Sequence, residues 1–227
     1  MIVALIPGYN EAPRIGHVVE TARRFLPVLV VDDGSTDATG AVAAEAGAIV
    51  IRQEPNQGKG AALRAGFRRA LADGAEAIIT LDADGQHDPA EIADFLDVWS
   101  RAAPGDRPDL VIGARNFRSM PPVRRLSNTL GRWAFSWAVG RAIPDNQSGY
   151  RLVSRRLAEA TLASSEAGFA LEVEQITTCI RMGGRIEWLP IRTIYAGAPS
   201  HIRPIEHLRE FVRIVRQARR DVRRPLP

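Results

Sequence analysis

Two carboxylates separated by one residue, Asp82 and Asp84, carry the clearest chemical signal in the sequence. They follow an apolar run at 77–81, which predicts a buried strand. Alternate residues of an extended chain point to the same side, and two buried carboxylates are costly unless a cation or hydrogen-bond donors meet them. The motif Asp82-Ala83-Asp84, with Gln86 as a neutral oxygen ligand, therefore predicts a site for Mg²⁺ or Mn²⁺ that leaves room for a diphosphate. An Asp-rich turn that caps the next helix is the alternative.

Two further polar clusters follow predicted strands. One begins with Asp32 and Asp33, where a carboxylate can accept from a ribose hydroxyl or a base N–H, or can serve the next helix as a cap. The other, Asn56-Gln57-Gly58-Lys59-Gly60, opens a helix whose N-terminus favours anions, and Lys59 adds a point charge. A flexible glycine turn is the alternative for this second cluster. The first strand is followed by no G-x-G-x-x-G motif, which argues against a nicotinamide or flavin enzyme.

The elements that must position these residues alternate regularly in the first half of the chain. Strands are predicted at 2–6, 28–31, 48–51, 77–81 and 110–113, with helical patterns between them. This order predicts an α/β fold, Rossmann-like, with a mostly parallel central sheet and helices on both faces. Ligands of such sheets bind beyond the carboxyl ends of the strands, which is where the polar clusters converge.

The second half of the sequence is less regular. Helices are predicted at 126–139 and 169–182, strands at 185–194 with a break at Pro190, and a basic helix from about residue 202. We expect one catalytic domain over 1–200 and a basic amphipathic C-terminal helix or tail over 201–227. The apolar positions of that helix either contact an anionic membrane surface or pack on the domain.

Composition narrows the class of protein. The chain has 227 residues, 45% of them hydrophobic, and a formal net charge of +4. Its one cysteine excludes an intrachain disulfide, and its N-terminus has the pattern of a first strand rather than a signal peptide. All the strongly basic side chains except Lys59 are arginines, and arginine suits contacts to phosphate. The arginine-rich tail after Phe211 contains no aromatic residue, which argues against RNA as a partner. We expect a cytoplasmic protein, with peripheral contact to the inner face of the membrane as one interpretation of its C-terminal helix.

In order and spacing, the motifs resemble glycosyltransferase family 2, and within it the branch of dolichyl- and polyprenyl-phosphate sugar synthases. The matching segments are 7–11, 31–37, 56–60, 82–87, 113–115 and 145–151. The resemblance implies a GT-A fold and inverting transfer from a nucleotide-sugar donor. It implies that Pro7, Tyr9, Glu11 and Asp33 line the nucleoside site and that Asp82, Asp84 and Gln86 hold Mg²⁺ or Mn²⁺ on its diphosphate. We also expect Asp32, Lys59, Asp82 and Ala83 to contact the donor.

The same resemblance implies a polyprenyl-phosphate acceptor, contacted by Arg115 and by Arg125 at the start of the helix that follows. A phosphate acceptor is already anionic, whereas a hydroxyl acceptor needs a general base, for which Asp145 is the candidate. Gln147 and Ser148 are expected near the sugar. Asp84, Arg115, Asp145 and Gln147 are thus the predicted catalytic residues.

Three questions stay open in the sequence. His201 and Arg203 stand where this branch often has a Ser-Lys element, and they are candidates for contacts to phosphate. A saccharide or other hydroxyl acceptor, or a non-catalytic nucleotide-binding protein, are the alternative functions. The motifs fix neither the sugar, nor the base, nor the oligomeric state.

Overall fold

A single mixed sheet forms the centre of the protein. The computed structural model describes residues 1–117, 122–164, 170–192, 194 and 204–223. Its strands within these residues are β1 (Ile2–Gly8), β2 (Val28–Asp33), β3 (Ile49–Gln53), β4 (Ala77–Thr80), β5 (Leu110–Arg115), β6 (Arg151–Ser154) and β7 (Ile186–Ile191). They are ordered β3-β2-β1-β4-β6-β5-β7. All neighbouring pairs are parallel except those of β6, which runs antiparallel to both β4 and β5.

The helices cover both faces of this sheet. They are α1 (Ala12–Ala22), α2 (Thr39–Glu45), α3 (Lys59–Ala72), α4 (Ile92–Arg101), α5 (Pro122–Val139), α6 (Arg155–Thr161), α7 (Ala170–Arg181) and α8 (Pro204–Arg223). Buried residues of α1, α2 and α4 pack on one face, and buried residues of α3, α5, α6, α7 and α8 pack on the other. The predicted α/β fold with a mostly parallel sheet between two helical layers is therefore confirmed.

Strand β1 shows how alternation divides its side chains between the two cores. Val3 and Leu5 belong to the core on the α3 side, and Ala4 and Ile6 belong to the core on the α1 side. Successive side chains of a strand point to opposite faces, so a strand covered on both faces is apolar at every position. This is why β1 appears in the sequence as an unbroken apolar run.

Strands β6 and β7 differ from the sequence prediction. Strand β6 has only four residues and was not predicted, because so short a segment shows no clear period. Strand β7 continues through Pro190, which was expected to break it. Because β7 lies at the edge of the sheet, the missing N–H of an exposed proline costs no hydrogen bond to a second neighbour.

The C-terminal helix α8 packs on the body of the protein. Ala218 is buried, and Ile214 and Val222 pack against the same core as α3 and α7. These three apolar positions of α8 thus contact the domain, which was one of the two expectations for this helix, whereas Val212 is 38% exposed. The expected boundary at residue 200 lies outside the described residues and stays a prediction. No helix in the described part of the chain is both long and apolar enough to cross a bilayer.

Candidate active site

The predicted site residues gather at the carboxyl ends of β1, β2, β4 and β5. Strands β2 and β4 lie on opposite sides of β1, so the chain reverses its direction of winding there. In open α/β sheets the crevice at such a switch point is where ligands bind. Helix α3 also begins at this edge of the sheet, with Lys59 as its first residue.

Lys59 is held between two carboxylates. Its Nζ lies 2.5 Å from Asp82 Oδ1 and 2.7 Å from Glu172 Oε1, at the start of α7. Burial by itself lowers the pKa of Lys59, but the charges of Asp82 and Glu172 outweigh it and raise that pKa above its ordinary value. Burial likewise acts to raise the pKa of Asp82, yet the Lys59 charge lowers it to about 2. Both partners are therefore charged at neutral pH.

Asp84 lies in a different electrostatic setting from Asp82. Its Oδ1 accepts the backbone N–H of Gln86 at 2.9 Å. Burial, and after it the negative charge of Asp82, raise the pKa of Asp84 above its ordinary value. A divalent cation beside both carboxylates would offset the repulsion between them.

The donor set fits a divalent cation that is shared with a substrate. Within the described residues, no three His, Cys, Asp or Glu side chains are arranged to hold a metal ion by themselves. Mg²⁺ is commonly bound through one or two carboxylates and the oxygens of a substrate phosphate. Asp82, Asp84 and Gln86 offer two carboxylates and an amide oxygen, which suits that mode of binding.

His87 lies next to the Asp82 carboxylate. Its Nδ1 is 3.7 Å from Asp82 Oδ2, and its ring centroid is 5.3 Å from that of Tyr150. Burial lowers the pKa of His87, although Asp82 and Asp84 oppose the shift. The ring is therefore neutral at pH 7, and among the described residues no hydrogen-bond partner reaches its Nδ1.

Arg115 and Asp145 form a rigid pair at the end of β5. The Nε and Nη2 atoms of Arg115 donate to the two Asp145 oxygens at 2.7 and 3.0 Å, and the Arg115 backbone N–H donates at 3.3 Å. Asp145 is fully buried and also accepts the backbone N–H of Gln147 at 3.1 Å. Both of its oxygens are thus occupied, and their geometry fixes the orientation of the guanidinium group.

Asp33 connects β2 to the start of α3. Its two carboxylate oxygens accept the backbone N–H groups of Gln57 and Gly58 at 2.9 and 2.8 Å. Gly58 has a φ of 89°, a conformation that favours glycine. Through these contacts Asp33 holds the loop that delivers Lys59 to the site.

Asp32 contacts the turn that follows β2. It is fully buried, and its oxygens accept the Ser35 N–H at 3.0 Å and Arg52 Nη1 at 3.0 Å. Its contacts organise this turn. The contact to the donor that the sequence predicted for Asp32 stays a prediction.

The end of β1 and the loop from β1 to α1 carry the other residues that were predicted to face the nucleoside. Pro7 is half-buried, and Tyr9 is 48% exposed. The backbone N–H of Glu11 donates to Thr39 Oγ1 at 2.7 Å, while its carboxylate accepts from Arg14 Nε at 2.7 Å. The loop is thus fixed to the start of α2, and the Tyr9 ring remains open to solvent.

The segment between α5 and β6 reaches the carboxylate pair from the other side. Gln147 is exposed, whereas Ser148 is fully buried, with no partner for its hydroxyl among the described residues. Ala83 is buried between the two carboxylates. Arg125 is exposed on α5, and His201 and Arg203 lie outside the described residues.

Gly149 is packed directly against the ion pair of Lys59 and Asp82. A Cβ atom at this position would lie 2.7 Å from Asp82 Oδ2 and 2.9 Å from Lys59 Nζ. We therefore predict that Gly149→Ala pushes these two side chains apart and lowers kcat/KM by about tenfold or more. Gly105→Ala is the matched control, because a Cβ there meets no atom within 4 Å. Equal activity of the two variants would contradict the prediction.

Arg151 supports this site and was not assigned a role from the sequence. It is almost completely buried and donates to the backbone oxygens of Asn146, Ser148 and Glu172 and to Gln175 Oε1. It therefore ties the 145–149 loop to the start of α7. One feature of the sequence could have indicated this role. Arg151 stands directly before the apolar pair Leu152-Val153, and an arginine is unusual in a buried strand.

The sheet reverses its winding at β1 and gathers polar and charged side chains at its carboxyl edge, as open α/β folds that bind nucleotides do. The chain belongs to glycosyl transferase family 2, whose family model matches residues 3–160. This confirms the family to which the sequence motifs pointed.

Named relatives agree with this assignment, and a solved structure agrees with the fold. Polyprenol monophosphomannose synthase of Mycolicibacterium smegmatis is 30% identical over 205 residues, which cover 83% of this chain and 76% of that protein. The UDP-N-acetylglucosamine–dolichyl-phosphate N-acetylglucosaminyltransferase of Methanococcus voltae is 30% identical over 224 residues and 86% of each chain. Glucosyl-3-phosphoglycerate synthase of Mycobacterium tuberculosis, crystallised with Mn²⁺, UDP-glucose and phosphoglyceric acid, has the same fold, with a TM-score of 0.72 and 20% identity over 96% of this chain and 79% of that one.

Proposed function

We propose that this protein transfers a sugar, with inversion, from a nucleotide-diphosphate sugar to the phosphate of a polyprenyl or dolichyl phosphate. The observation that carries this proposal is the fixed Arg115–Asp145 pair at the same sheet edge as Asp82 and Asp84. The Arg115 guanidinium group suits an anionic acceptor, and the Asp82 and Asp84 carboxylates suit a cation-bound diphosphate. The acceptors named for the two relatives above are consistent with this division.

The donor side would be organised by the carboxylate pair. Asp82, Asp84 and Gln86 would hold Mg²⁺ or Mn²⁺, which supplies Lewis-acid stabilisation of the departing nucleoside diphosphate. Lys59 orients Asp82 through their ion pair and brings positive charge to the same edge. The exposed ring of Tyr9, with Pro7, Glu11 and Asp33, would face the nucleoside. Asp33 would act there chiefly through the loop that it holds.

The acceptor side favours a phosphate over a hydroxyl group. A hydroxyl acceptor requires a general base, and Asp145 is a poor one because both its oxygens already accept hydrogen bonds. A phosphate monoester is anionic at neutral pH and needs positioning by positive charge instead. Arg115 is oriented for this by Asp145, and Arg125, His201 and Arg203 are further candidates for phosphate contacts. Gln147 and Ser148 would contact the sugar.

Calorimetric titration tests the donor half of the proposal. GDP-mannose, UDP-glucose and UDP-N-acetylglucosamine would each be titrated with Mn²⁺ and with chelator into the wild type and Asp84→Ala. We expect one donor to bind in a metal-dependent manner, and at least about tenfold weaker binding to Asp84→Ala. Binding of no donor under any metal condition would count against the transferase function.

The chemistry of the product tests the acceptor half. Transfer to a polyprenyl phosphate yields a sugar phosphodiester, which mild acid cleaves, whereas a glycoside formed on a hydroxyl acceptor survives. Donor binding without transfer to either acceptor would favour the alternative of a nucleotide-binding protein.

A further inference from the structure

We propose that the outward face of α5 is a docking surface for an anionic lipid bilayer. We call this face, formed by Leu130, Trp133 and Trp137, the α5 stripe. Their exposed fractions are 57%, 66% and 67%, so most of each side chain is in contact with water. Two large indole groups exposed on one helix make an apolar patch that needs a partner.

The spacing shows that the α5 stripe is separate from the face that folds the protein. At 3.6 residues per turn, positions 130, 133 and 137 fall on one side of the helix. Phe135, Ala138 and Val139 fall on the other side and are buried; Phe135 and Val139 are part of the core. The core therefore accounts for the inner face, and it does not account for the outer apolar residues.

Charge indicates which partner the α5 stripe fits. Helix α5 has no Asp or Glu among its 18 residues and carries three arginines. Helix α8 contacts α5 and adds exposed or half-exposed arginines at 213, 216, 219 and 220, and Arg219 stacks 3.5 Å from the Trp137 ring centroid. Tryptophan next to arginine is characteristic of surfaces that lie at the headgroup level of an anionic membrane.

Helix α8 offers less apolar surface than α5 in its described part. Ile214, Ala218 and Val222 are already packed against the core, so they are not available to lipid, whereas Val212 is 38% exposed. Among the described residues the contribution of α8 to docking is then mainly electrostatic, and α5 supplies most of the apolar contact. The proposal thus adds α5 to the sequence interpretation, in which the C-terminal helix contacts the membrane.

The α5 stripe is connected to the site by Phe117. The guanidinium carbons of Arg115 and of Arg132 on α5 lie 6.0 and 5.7 Å from the Phe117 ring centroid. A bilayer that contacts α5 would therefore lie near the group proposed to receive the acceptor phosphate. In this respect the inference rests on the proposed function, because that acceptor is a membrane lipid.

Vesicle co-sedimentation tests the inference directly. The probes are vesicles of phosphatidylcholine alone and of phosphatidylcholine mixed with phosphatidylglycerol. We expect the wild type to bind the mixed vesicles, and the Trp133→Ser/Trp137→Ser variant to bind them at least about tenfold more weakly. Ile49→Ser is the matched control, since Ile49 is 52% exposed on β3 at the opposite end of the sheet.

Quenching of tryptophan fluorescence by brominated lipid chains gives a second readout on the wild type alone. We expect quenching in the mixed vesicles, because the exposed indoles would reach the acyl boundary. Failure of the wild type to bind mixed vesicles, or equal binding by the double variant, would overturn the inference. A wild-type dimer that the double variant converts to a monomer, without vesicle binding, would assign the stripe to a second copy of the chain instead.

The result of the vesicle-binding test can be separated from the result of the test of the proposed function. Donor titration needs no membrane, and the double variant should bind the donor as the wild type does, which also shows that it is folded. Donor binding without vesicle binding would refute the docking surface alone. Vesicle binding without donor binding would refute the transferase function alone.

Discussion

Replacement of Lys59 by methionine is expected to lower the free energy of unfolding by about 3–5 kcal/mol, because it leaves the Asp82 and Glu172 carboxylates without their cation in a largely buried site. For a chain of this size, that loss corresponds to a fall in Tm of about 10 °C. Urea and thermal denaturation, followed by circular dichroism, measure both quantities.

The same helix provides a matched control for this prediction. Arg69 and Asp73 on α3 form an ion pair with an N–O distance of 2.7 Å, but both side chains are more than 40% exposed. Arg69→Met should therefore cost less than about 0.5 kcal/mol. Adding Glu172→Gln to Lys59→Met should recover part of the loss, because one of the unpaired charges is removed. Equal losses in the free energy of unfolding for Lys59→Met and Arg69→Met would show that the buried ion pair stabilises the fold no more than the exposed one.

The stability difference between Lys59→Met and the wild type should also depend on pH. The folded-state pKa of Asp82 is lowered to about 2, so its ion pair stabilises the fold above the unfolded pKa of about 4. That contribution is lost as the pH falls from about 4 towards 2. Denaturation at pH 7 and pH 3 should therefore show a smaller difference between the two proteins at the lower pH.

Arg115→Lys is expected to lower kcat/KM for the polyprenyl phosphate by about a hundredfold while leaving the donor Kd nearly unchanged. Lysine keeps the positive charge, but it cannot make the paired hydrogen bonds to Asp145 that orient the guanidinium group. Steady-state transfer at saturating donor, with calorimetry of donor binding, separates the two effects.

Arg101→Lys controls for a general effect of the substitution, since the Arg101 side chain is 76% exposed on α4. Unchanged transfer by Arg115→Lys would remove Arg115 from the acceptor site. A large loss of donor affinity in this variant would assign Arg115 to the donor half of the site instead.

The sequence predicted the parts of the fold that local periodicity controls. Strands β1, β2 and β4 are continuous apolar runs because both faces are covered, and α4 shows helical spacing in Phe95 and Trp99. Strand β6 could not be predicted from so short a segment, since its position depends on pairing with β4 and β5. Pro190 misled the prediction because only the sheet order reveals that its strand lies at an edge.

For the site, the sequence indicated which residues are present more reliably than which residues meet. It placed Asp82, Lys59 and Arg115 near one edge because each follows a strand or opens a helix there. It could not show that Lys59 meets Glu172, more than a hundred positions later, or that Asp145 orients Arg115. Such contacts depend on how distant elements pack, and no local pattern encodes them.

The antiparallel strand β6 has a consequence for how this enzyme could diversify. The chain leaves the sheet at the end of β5 and returns one hydrogen bond away, where the Gly113 N–H donates to the Tyr150 carbonyl at 2.9 Å. Because the two ends of the intervening segment, α5 included, are already joined, a change in its length costs little chain entropy. Segment 116–144 can therefore differ in length between homologues, provided that Phe135 and Val139 keep their places in the core and the 145–149 loop stays in the site.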